Sequence, residues 1–152
     1  MSMDTLTLDV VGFIKACSQE PSDKNISLYM NLVREECGVE LEQAMADWAA
    51  AQTEAELQQA RADAGDAICD SIWVLIGLAY QMNIPVDQMW DEVVITNWRK
   101  VDAELGLVRR DENGKVMKPP GWRAPDMLKI IQNFDNQQKE MNRGLPDGVE
   151  AA

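Results

Sequence analysis

The sequence predicts an all-α fold, an antiparallel bundle of four to five helices with a small irregular or hairpin insert near the C-terminus. Two observations carry this. Apolar residues recur at helical spacing through most of the 152-residue chain. Capping and breaking residues fall between those periodic stretches. A length near that of one average domain then makes residues 1–142 a single unit, with 143–152 as a flexible tail.

The elements follow in order. Leu6, Val10, Phe13, Ile14 and Cys17 form a short apolar stripe that ends at Ser18 to Pro21. Ser22 is the N-cap of a long second helix running to about Ala50. Thr53-Glu54-Ala55-Glu56 has the pattern of a capping box, opening a third helix to about Met82, where Asn83-Ile84-Pro85 breaks it. A fourth helix is expected from Val86 to about Leu105, with Asp87 favourably placed near its N-terminus. Asp111-Glu112-Asn113-Gly114 reads as a turn between two short strands around Val108 and Val116. Pro119-Pro120-Gly121 excludes regular structure, and Pro125 opens a last helix through about Met141. From Arg143 onward, Gly144, Pro146 and Gly148 make fraying the expectation.

Composition narrows the chemistry. An apolar content of 46% supports a core without metal or disulfide staples. With 26 acids against 14 bases the net charge is −12, which repels phosphate backbones and argues against nucleic-acid binding. The absence of histidine removes Ser-His-Asp and Cys-His nucleophiles, His-ligated zinc and imidazole acid–base catalysis. What is left is carboxylate, amide, lysine and arginine chemistry with a hard cation. Cys17, Cys37 and Cys69 contain no CxxC pair and are expected to be small buried hydrophobes. Met1 to Asp9 lacks the positive start of a signal peptide, and the apolar run 72–80 is far short of the about 20 residues of a membrane span, so a cytoplasmic protein is expected.

Two helices place acids where core is expected. On the second, Glu36 and Glu40 continue the face of Tyr29, Leu32 and Val33, with Glu35 at its edge. On the third, Asp66 and Asp70 stack on one face through Trp73 and Gly77, with Asp63 one turn earlier. Ala64, Ile68, Ile72, Leu75 and Ala79 form an apolar stripe beside them, expected to be buried. Gly77 costs about 1 kcal/mol relative to alanine inside a helix, a cost that close approach of another helix or a ligand would justify. Antiparallel packing about the turn at 51–54 brings the two acid pairs to nearly the same height. Four carboxylates so placed repel, and all-oxygen ligation of Mg²⁺ or Mn²⁺ relieves the repulsion.

Several ordered motifs resemble one family. Asp66 to Ala79 resembles a D-A-x-x-D-x-x-Y-V-x-x-G-x-A pattern, and Glu35-Glu36 with Glu40-Leu41 resembles E-E-x-x-E-L. Glu92 to Lys100 is similar to E-V-x-x-S-N-x-x-K, and Gly114-Lys115-Val116 with Lys118-Pro119 and Pro125-Asp126 to a G-K-V-x-K-P and P-D tail. These are motifs of the MazG-like all-α nucleoside triphosphate pyrophosphohydrolases, in the phage-type branch often labelled Cof-like. The likeness spans about Asp9 to Leu128. The chain departs from the pattern where Val39 stands in place of the usual third acid, Ala67 in place of the ExxD acid, and Trp73 in place of the tyrosine.

The resemblance implies hydrolysis of a nucleoside triphosphate to monophosphate and pyrophosphate, best matched to a purine such as dGTP or GTP, with two or more Mg²⁺ or Mn²⁺ ions per site. It implies Glu36, Glu40, Asp66 and Asp70 as metal ligands, with Glu35 and Glu36 as the catalytic carboxylates. Glu35 orients or activates the water. Trp73, Asn97, Lys100, Lys118 and Trp122 are the implied substrate contacts, with Lys115 or Arg99 in support. Copies of the chain are expected to form a homo-oligomer, a tetramer ahead of a dimer, in the host cytoplasm if the gene is a phage's. The alternative is an acidic helical binding module, an adaptor or DNA mimic, that keeps the fold without turnover and meets a basic partner through its charge.

Overall fold

The structure, a computed structural model, describes residues 3–143 and is all-α, with no strand among the described residues. Helix α1 is Met3–Ala16. Helix α2, residues 23–50, is continuous but not uniform: Asp23–Val33 is α-helical, Arg34–Glu40 is π-helical and Leu41–Ala50 is α-helical again. Helix α3 is Glu54–Gln81, α4 is Val86–Trp98 and α5 is Met127–Arg143. The chain divides into two compact units, one ending at Val86 and the other beginning at Asp87. Apart from Arg143, the last residue of α5, the tail expected to fray lies outside the described residues.

Local chemistry sets the ends of the first unit's helices. Ser22 has an extended backbone, and its hydroxyl accepts from the Asn25 N–H at 3.2 Å. At Thr53 the capping box is complete: its hydroxyl accepts from Glu56 N at 3.2 Å, and the Glu56 carboxylate accepts from Thr53 N at 3.0 Å. The same carboxylate accepts from Gln52 N at 2.9 Å. Those bonds, that from Gln52 foremost, hold the Glu56 carboxyl below its usual range.

Between these caps α2 and α3 pair as an antiparallel hairpin. Tyr29 lies against Gly77, and Glu36 feels the charge of Asp70, both pairs being symmetric about Thr53. α3 packs through a narrow row of small residues, Ala60, Ala64, Ala67, Ser71 and Val74, all buried. Further along, Val10 and Ile14 of α1 close the core with Tyr29 and Ile76, and Leu6, Leu32, Leu78 and Tyr80 pack around them. A methyl group on Gly77 would overlap the Tyr29 ring, so the close helix approach that would justify a glycine there is present. Tyr29 also donates its hydroxyl to Gln19 Oε1 at 3.0 Å, tying the hairpin to the α1–α2 loop.

The alanine row corrects one expectation. Ala64 and Ala79 are buried, but Ile68, Ile72 and Leu75 are 47%, 41% and 47% exposed. At about 100° per residue these three lie roughly a quarter turn around the helix from the row that packs, so tight backbone approach through alanines leaves the larger stripe outside. The cysteines also depart from expectation: Cys17 and Cys69 are exposed and Cys37 is half-buried. Trp48, Trp90 and Trp98 are exposed, which rules them out of the core of this chain.

In the second unit α4 ends at Trp98, short of the expected Leu105. Asp102 explains the difference. Its Oδ1 accepts from the backbone N–H groups of Glu104 and Leu105 at 3.0 and 3.1 Å, and its Oδ2 binds Arg109 at 2.6 Å. A short acidic side chain that satisfies backbone donors in this way competes with helix continuation. The turn at 111–114 is present, with Asp111 Oδ1 accepting from Asn113 N and Lys115 N and Gly114 at φ +78°. Its flanks pair only as isolated bridges, Val101 with Val108 and Arg110 with Val116, in place of the expected strands. Asp126, one residue after the proline expected to open α5, caps that helix by accepting from Lys129 N at 3.1 Å.

Candidate functional site

Glu36 is the centre of the acidic face of the first unit. It is half-buried, and its Oε2 atom is buried with no hydrogen-bond partner. Burial raises its carboxyl pKa above the ordinary value of 4.5. The charges of Glu40 and Asp70, hydrogen bonding with Glu40, and the charge of Glu35 add to the rise, in that order. Four of the predicted acids, from both helices of the hairpin, therefore share one electrostatic neighbourhood.

Asp66 is placed differently. It is exposed on α3, one turn before Asp70, and is not among the charges acting on Glu36. The register of the hairpin sets it level with Glu40, since these two residues are also symmetric about Thr53. Ala67 beside it is 4% exposed and belongs to the packing row. An acid at 67 would thus enter the core, whereas one at 66 clears it. Among the described residues no three of Asp, Glu and Cys converge closely enough to hold an ion as they stand. An orphaned carboxylate oxygen amid like charges nonetheless fits a hard cation chemically. Glu40, Asp66 and Asp70 are exposed.

The π-helical stretch Arg34–Glu40 contains three of these acids. Its i→i+5 ring takes in one more residue per turn than an α-helix does, and such segments occur often at functional sites. No compositional mark distinguishes it, and the sequence predicts α-helix throughout.

Trp73 is 37% exposed on α3 and meets Phe13 edge-on, with ring centroids 5.6 Å apart and planes at 71°. One part of its surface is packed and the rest is open.

The other predicted contacts belong to the second unit. Asn97 is exposed, lines a cavity of about 270 Å³ with Trp90, Val94 and Trp98, and accepts a hydrogen bond from Lys100 Nζ. Trp122 donates its indole N–H to the Thr96 carbonyl at 3.0 Å. Lys118 Nζ lies 4.2 Å and Lys100 Nζ 5.5 Å from the centre of its ring. Lys100 and Lys118 border a cavity of about 540 Å³ whose walls include Asp102, Arg109, Met117, Pro119 and Pro120. Sequence reading missed Arg109 and Asp102. The signal for them lay in the short loop that joins an Asp with helix-stopping chemistry to an Arg seven residues on.

No protein-family model matches this chain, and no curated protein matches it. No helix among the described residues is by itself long and apolar enough to cross a membrane.

Proposed function

We propose that this chain is a metal-dependent nucleoside triphosphate pyrophosphohydrolase of the MazG-like all-α kind, with a purine deoxynucleotide such as dGTP as its best-matched substrate. The observation that carries the reading is Glu36: a buried, unpartnered carboxylate oxygen with Glu35, Glu40 and Asp70 around it. Such crowding of like charges is relieved either by a proton shared between carboxyl groups or by a bound cation, and the cation is the reading taken here. Glu36, Glu40, Asp66 and Asp70 would hold Mg²⁺ or Mn²⁺, two or more per site. Such ions, when bound, neutralise triphosphate oxygens and lower the pKa of a water.

The residues of the chain divide the remaining work. Glu35, exposed at the edge of the face, orients the attacking water and accepts its proton. Oxygen of that water bonds to the α-phosphorus as the α–β bridging bond breaks, and pyrophosphate departs with the bond electrons. Within the first unit the open part of Trp73 offers a stacking surface; within the second, Asn97, Lys100 and Lys118 carry donors of the kind that phosphate or sugar accepts.

Two departures from the family's spacing have a physical account. The acid displaced from 39 to 40 lies in the π-helical segment, whose wider turn absorbs one extra residue. The acid displaced from 67 to 66 avoids the alanine row. Copies of the chain are proposed to associate as a tetramer, covering the exposed Ile68, Ile72 and Leu75 stripe.

The test is a nucleoside triphosphate panel with Mg²⁺ or Mn²⁺ and resolved products. The reading requires monophosphate and pyrophosphate in equal amounts. Release of inorganic phosphate excludes attack at the α-phosphorus. Absence of turnover for every nucleotide, with tight binding to a basic protein, favours the acidic binding module.

A further inference from the structure

Helix α4 carries an apolar stripe that its own unit leaves open. Trp90, Val94 and Trp98 recur every four residues along one side, with Trp90 48% and Trp98 72% exposed and Val94 half-buried. The far side of the helix is covered: Thr96 is buried, and the loop that carries Trp122 is bonded to its carbonyl. The other helix of the unit does not fill the stripe, because α4 and α5 do not pack on one another. Nor does the cavity beside it suit a small ligand, since its volume of about 270 Å³ lies below the roughly 300–1,000 Å³ of such sites. An exposed aromatic patch bordered by charge is the mark of a protein contact.

The charges say which protein. Asp87, Asp91 and Glu92 lie in the first half of α4, and Arg99 and Lys100 directly follow its end. Asp91 and Arg99 are exposed, and neither forms an ion pair among the described residues. A second α4 laid antiparallel, with a two-fold axis beside Val94, sets each Trp90 level with the other copy's Trp98. The same operation brings each Arg99 to the height of the other copy's Asp87 and Asp91. Laid parallel, the acids of one copy would meet the acids of the other. Asn97 lies about 60° round the helix from the middle of the stripe and is not part of the contact. We propose that α4 is a docking surface for a second copy of this chain, paired antiparallel through Trp90, Val94 and Trp98 with Asp91 facing Arg99 at both ends. Such a contact uses one patch twice and closes on itself. It goes beyond the tetramer proposed above, whose stripe of Ile68, Ile72 and Leu75 belongs to the first unit, and it needs neither metal nor nucleotide.

The experiment uses the full chain carrying Ile72→Asp, which removes the first-unit contact, in sedimentation equilibrium at constant ionic strength. A dimer that dissociates on dilution is expected. Adding Trp98→Ala should weaken it by about thirtyfold or more, because tryptophans dominate contacts of this kind. Asp91→Lys and Arg99→Glu should each weaken it by about tenfold, since each sets like charges together at both ends. Mixed in equal amounts, these two variants should recover the dimer: one end of the mixed pair carries the reversed charges and the other the original ones. A chain that stays monomeric, a dimer indifferent to Trp98→Ala, or no recovery on mixing overturns the proposal, with circular dichroism confirming that each variant is folded. Recovery when both changes sit in one chain, but not on mixing, would place the contact within a single molecule and overturn it equally. Equal dimeric masses for the parent and Ile72→Asp chains would remove the first-unit stripe from the assembly and support the α4 contact.

Discussion

Glu36 has a carboxyl whose ionisation the fold resists, because it is partly buried among Glu40, Asp70 and Glu35. The sign of the consequence is fixed. Folding raises this pKa above the unfolded value, so the penalty is absent below that value and grows as pH climbs through the folded one. The metal-free protein should therefore lose thermal stability with rising pH across that interval, Glu36→Gln should flatten the loss, and added Mn²⁺ should reverse it in the parent chain. Scanning fluorimetry at a series of pH values checks all three. Asp70→Asn removes a charge facing Glu36 from an exposed position, so circular dichroism should be unchanged while turnover falls by at least about tenfold. An unchanged rate would place Asp70 on an ordinary solvated face. The acids were legible in the sequence because charge at apolar spacing is conspicuous. The exposure of Asp66 was not, since burial is decided by neighbours that spacing alone does not specify.

At the scale of helices, the legible features are those fixed by bonds between near neighbours in the chain. Ser22 and the Thr53–Glu56 box mark helix starts because the bonds they make span only three residues. Thr53→Ala should cost about 0.5–2 kcal/mol in denaturant unfolding by exposing helix donors. The end of α4 was misplaced because apolar spacing continues beyond Trp98, while the side chain of Asp102 captures the backbone that a helix would need. The packing face of α3 was misplaced for another reason. Hydrophobicity favours the isoleucine stripe, but the close approach marked by Gly77 and Tyr29 selects the alanine row. Gly77→Ala, a helix-favouring change by propensity, is accordingly expected to destabilise by about 1–3 kcal/mol through overpacking. Stabilisation instead would mean that Tyr29 swings aside at no cost. The π-helical segment was beyond sequence reading, because a shift of hydrogen-bond partner by one residue needs no particular side chain.

For the whole molecule, the charge and the exposed stripe make opposite demands. A net charge of −12 keeps copies apart, while Ile68, Ile72 and Leu75 favour their association. If association wins, light scattering should give a multiple of 17.0 kDa, with four copies expected. Ile72→Asp should reduce that multiple with little change in helicity, and a parent chain that runs as a monomer would leave the stripe without a self-partner. The all-α class was legible because helical periodicity repeats along most of the chain, whereas the division at Val86 leaves no linker-like composition to read. The central claim is that the acids of α2 and α3 are tolerated together because divalent ions belong among them. Titration of the full chain with Mn²⁺, followed by electron paramagnetic resonance of the free ion, tests it most directly. The account predicts saturable uptake of at least one ion per chain, abolished or weakened by about tenfold or more in Glu36→Gln and Asp70→Asn. Uptake that is absent, or equal in parent and variants, would contradict it.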